Sequence, residues 1–354
     1  MERVRLAVIG AGLIGAKHAA LARANESCVL VGICDPDRAR QGVADELGVP
    51  FYHRAEELLK RQRPEGAIVA TPTREHAPVA VACAERGVHL LVEKPIAESL
   101  DQAKRIIVAA RDRGTRVLVG HHRRHNPLVR KARDLVRGGE LGRLIGFSAL
   151  WTLQKPDEYF EVAWRRERPG GGPLLINLIH DLDSLRFICG EVTSVYARAS
   201  SAARGLEVED TLSISLALGN GALGTILASD ATPAAWSYEA TAAENAFFFP
   251  TAENCYHFVG TDASLGFPRM ELWRYAEGSP RGWDRPLERQ HIEVPAADPL
   301  TVQLEHFCRV VRGEDEPLVS AEEGARSLAV ALAAQESAET GTAVGPAALW
   351  IEGA

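Results

Sequence analysis

Apolar residues fall in short runs along the first third of the chain, and each run stops at a polar or glycine-rich step. Residues 5–9 are one such run, closed by Gly10-Ala11-Gly12-Leu13-Ile14-Gly15, after which residues 13–24 carry apolar side chains at amphipathic-helix spacing. Residues 29–34 form a second run ending at Asp35-Pro36-Asp37, and 38–47 read as a helix closed by Gly48. Further runs at 67–70, 88–92 and 117–119 are separated by helix-like stretches at 75–86 and 100–113. This alternation predicts a parallel sheet with helices on both faces.

Near residue 125 the period changes. One helical stretch reaches Arg137, and segments at 144–153 and 192–200 then alternate apolar and polar positions, as strands with one covered face do. Residues 212–218 and 222–228 flank Gly219-Asn220-Gly221, where Asn and Gly tolerate the positive φ of a tight hairpin turn. Residues 302–311 and 321–339 read as helices, and 280–299 as an irregular excursion with one short strand. The second half is therefore expected to hold a large, open, mainly antiparallel sheet. With 354 residues, more than one core usually serves, two domains are expected, over 1–122 and 123–354, with the last helices able to pack back on the first.

Composition narrows the function classes. Apolar residues make up 46% and charged residues 25%, and no apolar run approaches the roughly 18 residues of a membrane helix, so a soluble protein without a membrane partner is expected. Met1-Glu2-Arg3-Val4-Arg5 leads into an apolar strand without a signal-peptide core or cleavage site. Cys28, Cys34, Cys83, Cys189, Cys255 and Cys308 are scattered without C-x-x-C spacing, which suits reduced thiols and a cytoplasmic address. A net charge of −7 spread along the chain argues against a nucleic-acid partner. The basic cluster His121-His122-Arg123-Arg124-His125 reads instead as a site loop, and no companion ligand set makes it a metal site.

The glycine loop carries the first candidate chemistry. Gly10 allows the tight turn, Gly12 lets a pyrophosphate approach the backbone and Gly15 lets helix and strand pack closely, with Leu13 and Ile14 opening the helix whose N-terminus would face the phosphate. A lone G-x-G-x-x-G is weak, but this one sits between strand and helix and is followed about 20 residues later by an acid. That acid, Asp35, would accept from the adenosine ribose hydroxyls and repel a 2′-phosphate, so NAD is favoured over NADP. Arg38 lies close enough to keep NADP in view.

The run Leu90-Leu91-Val92-Glu93-Lys94-Pro95 puts a carboxylate, a lysine and a proline directly after a strand, where open α/β sheets carry their chemistry. In isolation Glu93-Lys94 reads as a solvated strand end. Beside a dinucleotide it suits proton transfer coupled to hydride transfer. With Thr71-Pro72-Thr73 and His76 after the third strand of the alternation, these motifs resemble the Gfo/Idh/MocA oxidoreductases, the family of glucose-fructose oxidoreductase and inositol dehydrogenase, over essentially the whole chain. The resemblance implies an α/β Rossmann domain followed by an α+β substrate and oligomerisation domain. It also implies that Thr71, Pro72, His76, Glu93, Lys94 and His122 line the cofactor, that Lys94 contacts the reacting oxygen, and that Pro95 is cis.

The second family signature is Gly170-Gly171-Gly172-Pro173 leading into a helix, on which Asn177, His180 and either Asp183 or Ser184 share one face. Here the chain departs from the family, whose aspartate four residues before the histidine is replaced by Ile176, with Asn177 beside it. Arg124, Trp151, Trp164 and Arg165 join Lys94, Asn177, His180 and Asp183 as the expected substrate contacts. The reading is an NAD-dependent dehydrogenase of a sugar, cyclitol or related polyol, with Lys94 and His180 moving the proton and Asn177 orienting the substrate. A ring dihydrodiol or hydroxylated carboxylic acid, with Arg124 or Arg165 as carboxylate partner, is the alternative substrate. A non-catalytic NAD-binding regulator is the alternative of another class, supported by the missing aspartate. An open sheet able to pair with another subunit predicts a homo-oligomer, and the resemblance implies a homo-dimer or homo-tetramer.

Overall fold

The computed structural model describes residues 2–168, 170–245 and 247–349. The chain divides into two compact units, Met1–His125 with Ala297–Leu328, and Asn126–Ala296 with the chain from Ala329 onward. Among the described residues no helix is long and apolar enough to cross a membrane.

In the first unit the elements alternate in chain order: β1 (Val4–Ile9), α1 (Leu13–Ala24), β2 (Cys28–Cys34), α2 (Gln41–Leu47), β3 (Phe51–Tyr52), α3 (Ala55–Gln62), β4 (Gly66–Val69), α4 (His76–Ala84), β5 (His89–Val92), α5 (Leu100–Arg113) and β6 (Val117–Val119). All strand pairs are parallel, in the order β3-β2-β1-β4-β5-β6. Leu6, Ala7 and Val8 of β1, Ile68 and Val69 of β4, and Leu90, Leu91 and Val92 of β5 are fully buried. Helices on both faces explain why these strands read as unbroken apolar runs. From β1 the chain winds outward through β2 and β3, then returns to β4 on the other side of β1. The order therefore reverses between β1 and β4, where open α/β sheets bind their ligands beyond the strands' carboxyl ends. The helix Pro299–Arg312 belongs to the same unit, with Phe307 buried against Gly66 and the Arg116 guanidinium donating to the Val310 carbonyl at 2.9 Å.

The reading of 38–47 as one helix is refined: Arg38–Arg40 is a 3₁₀ turn, with the Asp37 side chain accepting from the Ala39 N–H, and the α-helix starts at Gln41. Two elements of this unit escaped the pattern. The strand Phe51–Tyr52 is too short to show a period, and α3 carries only Leu58 and Leu59 as buried residues.

The second unit is built on β7 (Leu144–Thr152), β8 (Val192–Ser200), β9 (Thr211–Leu218), β10 (Leu223–Ser229), β11 (Tyr256–Gly260), β12 (Ala263–Phe267), β13 (Glu271–Arg274) and β14 (Glu288–His291). They form one sheet, ordered β14-β13-β12-β11-β7-β10-β9-β8. Every neighbouring pair is antiparallel except β7 and β10, which run parallel in its interior. One face is buried: Phe147, Trp151, Ile214, Leu216, Ile226, Phe258 and Leu265 lie on it, and Tyr256 stacks on Phe267 with ring centroids 5.3 Å apart. The hairpin between β9 and β10 has Gly221 at φ +84° and Asn220 Oδ1 accepting from the Ala222 N–H. The helices Pro127–Arg137 and Ile179–Cys189 belong to this unit, joined by Arg137, which donates to the carbonyls of Arg186 and Ile188.

Candidate active site

The cofactor cradle follows from the end of β1. Gly10 turns at φ +97°, with its missing Cβ directed into the Ala70 backbone, and a Cβ on Gly15 would collide with the Gly10 carbonyl. Around Gly12 a Cβ would meet nothing within 4 Å, so the open side of the loop lies there. Gly12 caps α1 without a side chain, which leaves the first N–H groups of the helix for an anion. Leu13 behind it is 82% exposed. Asp35, at the end of the neighbouring β2, accepts from the Ala11 N–H at 2.7 Å and the Asp37 N–H at 2.9 Å, fixing its carboxylate beside the loop. After β4, the Thr71 hydroxyl is buried and has no hydrogen-bond partner in the protein. An open helix N-terminus, an adjacent acid and an unsatisfied hydroxyl fit a dinucleotide.

His76 opens α4 and ties two loops together: Nδ1 lies 2.8 Å from the Pro95 carbonyl and Nε2 lies 2.9 Å from the Thr71 carbonyl. Burial pushes this imidazole below its usual range, against the pull of both carbonyls and of Glu93. A neutral imidazole carries one N–H, so His76 can donate to only one of these two carbonyls at a time, between the Thr71-Pro72 and Lys94-Pro95 turns.

At the end of β5, Glu93 is buried, with Oε1 2.8 Å from His18 Nε2 and Oε2 accepting from the Lys94 N–H at 3.2 Å. Burial would raise this carboxyl, but the His18 hydrogen bond and the charges of His18, Lys94 and His122 outweigh it and bring the pKa down to about 2. Lys94 is half-buried, and the Lys94–Pro95 bond is cis. Glycine at 120 is required by this packing, since a Cβ there would stand 2.9 Å from the Glu93 carboxyl carbon. Neither His18 nor Gly120 was legible as a site residue: His18 reads as a helix position and Gly120 as a loop glycine.

The crossover after β6 differs from a solvated loop. His121, Arg123, Arg124 and His125 are all buried, and His122 is half-buried. Arg124 is paired with Glu323 at 3.0 Å, and His125 Nε2 lies 2.9 Å from His306 Nδ1. The expectation that Arg124 contacts substrate meets a buried guanidinium already matched by a carboxylate.

In the second unit the signature helix is not regular. Leu174–Leu178 form a π-helical turn, and the α-helix begins at Ile179. The wider turn carries Asn177 towards Lys155, whose Nζ donates to Asn177 Oδ1 at 2.8 Å. His180 is 9% exposed and its carbonyl accepts from the Ser184 hydroxyl at 2.8 Å. Asp183 is wholly buried, which sets it apart from the half-buried Asn177. Lys155 also lies 3.2 Å from Asp230, and burial pushes its ammonium below the ordinary lysine value, against the attraction of Asp230 and Glu239. The aromatic wall divides in two. Trp151 is fully buried and donates to Glu239 at 2.9 Å, so it stands behind the surface, whereas Trp164 is 56% exposed and Arg165 lies 4.2 Å above the Tyr159 ring. Asp230 was not foreseen, because nothing near it in sequence marks it as a counterion.

Among the described residues no group of three or more His, Cys, Asp or Glu side chains could hold a metal ion. Residues 4–121 match the model of the oxidoreductase family with an NAD-binding Rossmann fold, and residues 129–265 match the Gfo/Idh/MocA C-terminal domain. The chain is 30% identical to a 1,5-anhydro-D-fructose reductase of Ensifer adhaerens over 81% of each protein. It is similar to a putative NADPH-dependent oxidoreductase from Desulfitobacterium hafniense DCB-2, with TM-score 0.84 and 25% identity over 98% of this chain and 99% of that one. The WlbA dehydrogenase of Bordetella pertussis, in complex with NADH and UDP-GlcNAcA, aligns with TM-score 0.80 and 25% identity over 97% of this chain and 99% of that one. The matching models, the aligned relatives and the cradle at the strand ends agree, and the chain belongs to the Gfo/Idh/MocA family of NAD(P)-dependent oxidoreductases.

Proposed function

We propose that this protein transfers hydride between a CH–OH carbon of a sugar, cyclitol or related polyol and the nicotinamide of NAD. The observation that carries the reading is a common edge: Gly10, Asp35 and Lys94 follow β1, β2 and β5 of one parallel sheet, around the strand-order reversal. Bound NAD supplies the hydride acceptor. Asp35 receives the adenosine ribose hydroxyls and disfavours a 2′-phosphate. Lys94 takes the hydroxyl proton, His180 shares that work, and Asn177, Trp164 and Arg165 bind the substrate. Similarity to an anhydrofructose reductase supports a polyhydroxylated substrate. All six cysteines are free and buried, which supports a reducing, cytoplasmic setting. The exposed face of the second unit's sheet supports a homo-oligomer.

The test is NADH formation across inositols, aldoses and their keto forms, with cofactor affinity for NAD and NADP titrated by fluorescence. Lys94→Ala is expected to lower turnover about 10²–10⁴-fold while leaving NAD affinity within a few-fold. Near-normal turnover in that variant would remove Lys94 from proton transfer. Ile176, in place of the family's aspartate, is the one observation that favours a non-catalytic NAD-binding regulator. NAD binding without turnover across the whole panel would establish that second reading.

A further inference from the structure

Past the end of β7 the chain turns through Leu153-Gln154 and buries Lys155, whose side chain is 8% exposed. Its Nζ contacts Asn177 Oδ1 at 2.8 Å and Asp230 Oδ2 at 3.2 Å, and lies 4.5 Å from the centre of the Tyr159 ring. The same arginine, Arg204, holds both the backbone and the counterion of this lysine, donating to the Lys155 carbonyl at 3.0 Å and to Asp230 Oδ1 at 3.1 Å. The ammonium is thus fixed from three sides. An ammonium only donates, so the amide atom facing it must be the oxygen of Asn177, and the NH₂ is turned the other way. Asn177 is half-buried, and among the described residues its NH₂ makes no hydrogen bond within the protein.

We propose that Lys155 is a specificity-determining positioning residue, which locks Asn177 as an outward hydrogen-bond donor and thereby selects substrates that offer a carboxylate oxygen there. The inference rests on the oxidoreductase reading above and names its substrate class as acidic sugars. A substrate hydroxyl can accept from the amide, yet its own proton then needs an acceptor, which neither Ile176 nor the outward NH₂ provides. A carboxylate has no such proton, and its bond to the amide is charge-assisted. Arg165 adds a second cation on the same Tyr159 ring: its guanidinium lies 4.2 Å from the ring centre and donates to the Tyr159 carbonyl at 3.0 Å, and among the described residues no carboxylate ion-pairs with it.

Calorimetry on the NADH-bound full chain, with D-glucuronate and D-glucose as probes, tests the proposal. Glucuronate is expected to bind about tenfold or more tightly than glucose, the size of one charge-assisted hydrogen bond. In Lys155→Met that preference should fall to within about threefold, with NADH affinity kept and KM for glucuronate oxidation raised more than kcat falls. A merely structural loss would weaken both sugars alike. Asn177→Asp keeps a partner for Lys155 but presents an acceptor, so it should reverse the preference, which tests the proposal even if Lys155→Met does not fold. Equal or tighter glucose binding in the parent protein, or an Asn177→Asp variant that still prefers glucuronate, overturns the proposal. Turnover of neutral polyols without a glucuronate preference would leave the oxidoreductase reading standing and remove this one. Selective glucuronate binding with no hydride transfer from any alcohol to NAD would do the reverse.

Discussion

Glu93 keeps its negative charge inside the first unit because donors meet both of its oxygens: His18 on one, the Lys94 N–H on the other. Its pKa falls from the usual 4.5 to about 2, so the unfolded chain binds this proton more tightly than the folded one. The carboxylate therefore contributes stability that is fully present above about pH 4.5 and lost as pH falls towards 2, of order 3 kcal/mol. Urea unfolding at stepped pH should show that loss in the parent and a flatter profile in Glu93→Gln; parallel profiles would remove the charge from this role. Gly120→Ala should destabilise by about 1–3 kcal/mol in the same assay, because the added methyl overpacks the carboxyl. Residues such as Asp35 and Lys94 were legible in the sequence because strand ends mark them. His18 was not, and neither was the ion pair of Arg124, since their partners Glu93 and Glu323 stand 75 and 199 positions away.

At the scale of elements, the periodicity of side chains was a good guide wherever a regular element is long. Leu13–Ala24, Leu100–Arg113 and Val192–Ser200 have the bounds that spacing implies. It failed at the signature helix, because a 3.6-residue period cannot announce a turn that closes one residue later. The π turn at Leu174–Leu178 is what gives Asn177 to Lys155. Its entry is set by Gly172, at φ +86° with Glu209 packed where a side chain would stand, and by Glu209 Oε1, which accepts from the Leu174 N–H at 3.1 Å. Burial raises the Glu209 carboxyl, despite that hydrogen bond. Gly172→Ala should therefore strain the backbone and displace Glu209 together, costing about 1–3 kcal/mol. Because Asn177 and His180 follow directly, the variant should also raise KM for the substrate while NAD affinity is retained. Unchanged KM with lowered stability would confine Glu209 and Gly172 to a folding role.

For the whole molecule, the alternation that identified β7 to β10 also exposes one face of their sheet, which β11, β12 and β13, not read from the sequence, extend. Ser213 and Ser215 of β9 pair with Leu227 and Thr225 of β10, and Leu223 and Val259 both pair with Gly146 of β7, so these positions share the face opposite the core. Leu223 is 65% exposed, Leu227 47% and Val259 42%, and Tyr196, across from Ser215, is 38% exposed. Isolated exposed apolar residues are ordinary, but four on one flat sheet face form the kind of patch that a partner covers. A second copy is the occupant that makes the patch self-complementary about a two-fold axis. Multi-angle light scattering is accordingly expected to give an even-numbered oligomer, and Leu227→Glu, which puts a charge at the centre of the face without touching the core, should shift it towards monomer at micromolar concentration. The variant should keep its NAD affinity, because the cradle belongs to the first unit. A parent that runs as a monomer at all concentrations, or a Leu227→Glu variant with unchanged mass, would leave this face to another partner.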